Sequence, residues 1–219
     1  MGCAAVIVAS GSSRRMGFDK LAAGLNGTPV LLHSVRAFMA AEGISRVVVV
    51  CPEDRFALLR DQVFPKPLTR VDGGDLRQDS VASGLAALGD DDTFVAIHDG
   101  ARPLIRPDSI DACIAAARSF GAAAIGREVA DTLKKCDAEG FARHSVDRTG
   151  LWAMETPQIF DLALLRRAYA EVQDRQLLVT DEVSAVEAIG VATKLIASPF
   201  PNPKVTVPAD IHLAEALMP

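Results

Sequence analysis

VIVASGSSRRMGFDK, residues Val6–Lys20, runs from an apolar stretch straight into a loop of small residues carrying two arginines and a lysine. The apolar part begins at Cys3 and does not alternate with polar residues, as expected for a strand covered on both faces. Similar runs follow at Arg46–Val50 (RVVVV) and Phe94–His98 (FVAIH), separated by alanine-rich segments suited to helices. VLLHSVRAFMAAEG ends at Gly43, a candidate helix C-cap, and DSVASGLAALG runs from Asp79, a candidate cap, to Gly89. RPDSIDACIAAARSFG starts with Pro107 and Asp108 and has Gly121 beyond its end. Strand, helix and strand in repetition predict an α/β fold with a mostly parallel sheet and right-handed crossovers.

A chain of 219 residues can bury one substantial core, so one domain over residues 1–219 is expected. The formal net charge of −5 argues against broad nucleic-acid binding but leaves room for a local basic pocket. Cys3, Cys51, Cys113 and Cys136 form no CxxC pair, which sets aside a zinc knuckle or a redox dithiol. Cys3 and Cys51 read as buried thiols. The chain starts without a basic leader, and its first apolar run is far shorter than a membrane span. The cytoplasm is the expected compartment, with no membrane and no nucleic-acid partner.

The alternating pattern stops after GAAAIG at Gly121–Gly126. REVADTLKKCDAEGFARHSVDRTGLW reads as two polar strands about a turn at Asp137–Gly140. These would form either a projecting arm over residues 127–150, which needs a partner surface, or an antiparallel edge of the main sheet. Helices are expected near Asp161–Val172 and Asp181–Ile189, then the strand-like TKLIA and the proline-flanked NPKVTVPADIHLAEAL.

Four stretches could carry chemistry. In ASGSSRRMGFDK, Gly11 and the serines Ser10, Ser12 and Ser13 allow backbone N–H groups to approach phosphate oxygens beyond a strand end. The loop has neither a Walker ending nor a dinucleotide fingerprint, so Arg14, Arg15 and Lys20 must supply the charge. In VDGGDLRQDS, Gly73 and Gly74 open the backbone, Asp75 and Ser80 can face a sugar or base, and Asp79 reads as a helix cap. In IHDGARP, Asp99 closes an apolar strand, where a charge must be paired or bind a metal, and it is a magnesium candidate. Arg102 either grips a phosphate or pairs with Asp99, and His98 reads as a packed histidine. The fourth set, Arg148, Thr180, Asp181 and Lys204, is scattered, and Thr180 or Asp181 could serve only as a helix cap. Together the cations suit a nucleoside triphosphate and a phosphorylated co-substrate. With no nucleophile paired to a base, a covalent hydrolase is disfavoured.

Over nearly its whole length the chain resembles the 2-C-methyl-D-erythritol 4-phosphate cytidylyltransferases of the non-mevalonate isoprenoid pathway. The resemblance rests on ASGSSRRM…K, VDGGDLRQDSV, HDGARP, DTLK, HSVDRTGLW, TPQ, TDEVSA and NPKVT, in that order. It implies a doubly wound, Rossmann-like nucleotidyltransferase fold and a homodimer whose arms reach the partner's site. It implies Arg15 and Lys20 as catalytic contacts to the triphosphate, with Ala9, Ser10, Gly11, Gly74, Asp75 and Ser80 around the nucleotide. Asp99 would hold magnesium and position the substrate, beside Arg102, Thr156, Thr180 and Lys204; Thr132 and Arg148 would come from the other subunit's arm. The family often has alanine at Ser10, proline at Asp19 and alanine at Gly100. The implied reaction is cytidylyl transfer from CTP with release of pyrophosphate. The alternatives are a ribitol 5-phosphate cytidylyltransferase, which shares this framework, and a nucleotide-binding regulator without turnover.

Overall fold

The computed structural model describes residues 2–12 and 16–218. In chain order its elements are β1 (Gly2–Val8), β2 (Gly24–Leu25), β3 (Thr28–Pro29), α1 (Val30–Ala40), β4 (Ile44–Val50), α2 (Glu53–Phe56), β5 (Leu68–Val71), α3 (Arg77–Ala86) and β6 (Asp92–Asp99). They continue with α4 (Pro107–Phe120), β7 (Ala122–Glu128), β8 (Leu133–Cys136), β9 (Ala142–Val146), β10 (Trp152–Asp161), α5 (Leu162–Asp174), α6 (Glu182–Glu187), β11 (Lys194–Ala197) and α7 (Ala209–Leu217).

Seven strands form one sheet in the order β11-β7-β10-β6-β1-β4-β5. β10 runs antiparallel to both β6 and β7, and the remaining pairings are parallel. The sheet is therefore mostly parallel, as the uninterrupted apolar runs require. β1 shows why: Cys3, Ala5 and Ile7 pack into the layer of α1, α4 and α7, while Ala4 and Val6 face α3, α5 and α6. Two side-chain layers on opposite faces leave no polar position along the strand.

The chain passes from β1 to β4 and β5 on one side, then crosses to β6 on the other side of β1. Strand order thus reverses at β1 and β6, whose ends are in register with Val8 opposite Asp99. Open α/β sheets place their ligand crevice beyond the carboxyl ends of the strands at such a point.

Several element ends differ from the sequence reading. α1 stops at Ala40, with Ala41 extended, so Gly43 is not its cap. Instead the Glu42 and Gly43 N–H groups donate to the Asp111 carboxylate, and a Cβ on Gly43 would lie 2.8 Å from Ile114 Cδ1. That glycine serves close packing against α4. α3 begins at Arg77, two residues before Asp79, whose carboxylate reaches back to accept the Leu76 N–H. α4 matches expectation, with Pro107 at its first position and Gly121 left-handed at φ 81°. β10 was not anticipated, because METPQ breaks the apolar pattern and the register shifts between Met154 and Gln158.

β8 and β9 pair antiparallel in a sheet of their own, so the polar hairpin is not an edge of the main sheet. Phe141, Val146 and Leu151 are exposed in this region. Among the described residues no helix is long and apolar enough to cross a membrane.

Candidate active site

A cleft of 630 Å³ opens at the β1/β6 switch point. Its walls include the loop after β1 (Ala9–Ser12), Lys20, the loop before α3 (Gly74–Arg77), Asp99 at the end of β6, and Lys204. Residues from widely separated stretches meet here because parallel strands all deliver their following loops to one sheet edge.

On one side, two glycines let two loops touch. A Cβ on Gly73 would fall 2.5 Å from Ser10 Cβ, and one on Gly74 would fall 2.4 Å from Asp79 Cβ. Distances this short exclude any side chain without displacement of a loop. Ser80, buried beneath them, joins the pair: its Oγ lies 2.7 Å from Ser10 Oγ and accepts from the Gly74 N–H at 3.2 Å. Ser80 therefore does not line the cleft and acts by positioning Ser10 and Gly74. Asp75 does line it and is exposed.

Asp99 is only 8% exposed. Its Oδ1 is 3.2 Å from Arg77 Nε, and its Oδ2 is 2.8 Å from Lys204 Nζ and 3.7 Å from Arg102 Nε. Burial disfavours the carboxylate, but the nearby Arg77, Lys204 and Arg102 charges outweigh it and hold Asp99 well below the usual carboxylate range. Its N–H donates to Thr156 Oγ1 at 3.1 Å, and that hydroxyl also meets His98 Nδ1 at 3.0 Å. Thr156 is thus committed to holding the end of β6. Arg102 also donates to the Asn202 carbonyl, and a smaller cleft of 390 Å³ lies beside it and Lys204. His98 is fully buried against Phe38, with ring centroids 4.8 Å apart, and is a packed histidine as expected.

Lys20 lines the cleft and donates to the Val205 carbonyl at 2.9 Å. Arg15 lies outside the described residues, with Ser13 and Arg14. Thr180 is exposed beside Ser184, and Asp181 is the N-cap of α6, accepting from the Ser184 N–H. Thr132 and Arg148 are exposed on the hairpin, and Arg148 bonds to the Ala130 carbonyl; neither lines the cleft of its own chain.

Sequence reasoning assigned no role to Arg77 or Glu182. Arg77 binds Glu182 through both terminal nitrogens, at 2.7 and 3.0 Å, while its Nε holds Asp99. Glu182 is fully buried and also accepts from Tyr169 Oη at 3.0 Å. Burial works against the Arg77 charge, but Glu182 and Asp99 more than offset it and keep the guanidinium ionised. The available signal was a basic residue next to VDGGD and an acidic one just inside a helix that buries its apolar face. Neither reveals a partner 105 residues away.

Both Asp99 oxygens face cations, and the described residues contain no group of three metal-ligating side chains. In this arrangement the carboxylate positions the cations around it.

Moving a nucleotidyl group from one phosphate to another demands charge neutralisation and alignment more than a strong base. The crevice supplies those, and fold and site define a nucleotidyltransferase. The family model for IspD, 2-C-methyl-D-erythritol 4-phosphate cytidylyltransferase, matches residues 3–219, and the chain belongs to that family. The enzyme of that name from Ralstonia nicotianae is 42% identical over 98% of this chain and 90% of its own. That from Pelotomaculum thermopropionicum is 37% identical, covering 98% and 93%. The crystal structure of 2-C-methyl-D-erythritol 4-phosphate cytidylyltransferase from Thermus thermophilus superposes with a TM-score of 0.82 at 31% identity, over 99% of this chain and 98% of that one.

The His98 environment carries a pH signature. Burial is the main cause that takes its pKa down to about 3, so it stays neutral in the native state. The unfolded chain binds a proton there below about pH 6.5. Stability is therefore complete above that pH and falls as pH drops from about 6.5 towards 3, at up to about 1.4 kcal/mol per pH unit. Urea unfolding between about pH 4.5 and 6.5 should give a shallower dependence of stability on pH for His98→Asn than for the wild type; parallel slopes would contradict this assignment.

Proposed function

We infer that this chain transfers the cytidylyl group of CTP to the phosphate of 2-C-methyl-D-erythritol 4-phosphate. The carrying observation is one crevice where Lys20, Arg77 and Lys204 line the wall beside a glycine-serine backbone, with Arg77 and Lys204 bound to one buried carboxylate. A phosphate oxygen of the polyol attacks the α-phosphorus of CTP, forming the new P–O bond. The bond from the α-phosphorus to the bridging oxygen breaks, and pyrophosphate leaves with its electron pair. A phosphate monoester is largely ionised near neutral pH, so the step needs no strong general base.

In this reading Lys20 and Arg15 neutralise the triphosphate as charge builds on the leaving group. The backbone of Ala9–Gly11 and Gly74, with Asp75, takes the nucleotide; Ser80 supports that wall. Lys204 and Arg102 take the polyol phosphate, with Thr180 as a further contact to that substrate. Asp99 keeps Lys204, Arg77 and Arg102 together. Magnesium arriving with the triphosphate would be held by phosphate oxygens, with Asp99 as the candidate protein ligand. We place the enzyme in the cytoplasm, a reading supported by its free cysteines.

We further propose a homodimer in which residues 127–150 reach the partner's cleft. Support comes from Thr132 and Arg148, which stand away from their own cleft, and from exposed Phe141, Val146 and Leu151. Such an arrangement allows complementation: Lys20→Ala and Arg148→Ala homodimers should each be nearly inactive. Mixing them under subunit exchange should restore up to about a quarter of wild-type turnover per site population. No recovery despite demonstrated exchange would place both residues in one chain's site.

Pyrophosphate release measured with CTP, ATP, UTP and GTP, each against methylerythritol, ribitol and sugar phosphates, tests the reaction itself. Turnover should be confined to CTP with methylerythritol phosphate. Preference for another base or for ribitol phosphate would overturn the substrate assignment, and no turnover with any pair would favour a regulator.

A further inference from the structure

Arg55, on the short helix α2, is a guanidinium only 8% exposed that no step of the proposed reaction uses. It binds the Ala9 carbonyl closely, lies 3.3 Å from the Gly11 carbonyl, and pairs with Asp19 through Nε at 2.9 Å. Asp19 in turn accepts the Leu21 N–H on its other oxygen at 3.0 Å. Its backbone carbonyl accepts the Ala22 and Ala23 N–H groups. One planar group thus joins the loop after β1 to the two residues that flank Lys20.

The consequence follows from peptide geometry. In a trans peptide the C=O and the next N–H point in opposite directions. With the Ala9 and Gly11 carbonyls drawn towards Arg55, the Ser10 and Ser12 N–H groups are turned to the other side of the loop, and both residues line the cleft. N–H groups aligned in this way make a cradle for phosphate oxygens. The Asp19 carboxylate meanwhile spans Lys20, fixing the backbone from which that side chain extends.

We propose that Arg55, acting through the Ala9 and Gly11 carbonyls and through Asp19, is a positioning residue that presets the triphosphate cradle and the backbone of Lys20. The inference rests on the reading of this cleft as a CTP site. It deepens that reading by tying nucleotide affinity to a residue outside the cleft wall. Lysine cannot replace arginine here, because a single ammonium lacks the planar fork needed to meet two carbonyls and a carboxylate at once.

Full-length wild type, Arg55→Lys and Asp19→Asn should be compared by calorimetric titration with CTP, by thermal unfolding, and by the KM for methylerythritol phosphate at saturating CTP. Arg55→Lys should weaken CTP about tenfold and lower kcat, with a cooperative unfolding transition and a polyol phosphate KM within about twofold of wild type. Asp19→Asn should shift CTP affinity in the same direction by a smaller factor. CTP affinity within twofold of wild type in folded Arg55→Lys would overturn the proposal, as would equal weakening of both substrates, which marks general loosening. Should Arg55→Lys fail to fold, Asp19→Asn decides by the same criteria, an unchanged CTP affinity counting against the proposal. A wild type that binds CTP without transferring its cytidylyl group would sink the reaction assignment alone, leaving Arg55 to be judged on CTP affinity.

Discussion

A carboxylate buried at the end of a parallel strand has to be neutralised where it stands, and at Asp99 three cations do so. Removing one partner from a buried ion cluster typically costs about 3–5 kcal/mol, because the remaining charge is left without water or counter-ion. The requirement therefore fixes more than one side chain. Arg77 comes from the start of α3, Arg102 from the loop after β6, and Lys204 from the segment that leads to α7. Three distant pieces of chain are pinned to one point at the switch between β1 and β6. Arg77 is held from behind as well, by fully buried Glu182 at the start of α6.

The anionic anchor also explains how a protein of net negative charge presents a cationic cleft. Arg77, Arg102 and Lys204 are each oriented by the Asp99 carboxylate between them, so these charges are set in place without a search through rotamers. Preorganised charge of this kind accelerates phosphoryl chemistry because nothing needs to reorganise as the leaving group develops its charge. The wall built from the loops after β1 and before α3 uses a different device. There the loops meet glycine against serine, with Ser80 buried under both, and backbone geometry rather than charge shapes the wall.

Much of this was legible in the amino-acid sequence. Uninterrupted apolar runs at β1, β4 and β6 announced a sheet covered on both faces, and the polar pattern from Arg127 to Trp152 announced a hairpin, but only the structure shows it standing apart from that sheet. Lys20 and Asp99 could be named because charge next to an apolar strand, or in a small-residue loop, is conspicuous, whereas Lys204 was weak on its own and gained a role only through the resemblance. Three things were not legible. β10 hides its strand character behind Glu155, Thr156, Pro157 and Gln158, of which Glu155, Thr156 and Gln158 are buried polar residues satisfied or paired only in the folded chain. Arg77 and Glu182 look like ordinary helix-end charges until 105 residues of intervening chain bring them together. Arg55 sits in a four-residue helix whose composition suggests only a solvated turn. In each case the local pattern is silent because the meaning lies in a contact distant along the chain.

The central claim is that Asp99 organises the cations of the cleft, and the turnover of Asp99→Asn with saturating CTP and methylerythritol phosphate tests it most directly. Asparagine keeps the shape but removes the charge that holds Arg77, Arg102 and Lys204 together. Displaced cations should lower kcat about a hundredfold or more, in a protein that still unfolds cooperatively. A folded Asp99→Asn enzyme with kcat within a few-fold of wild type would contradict that claim.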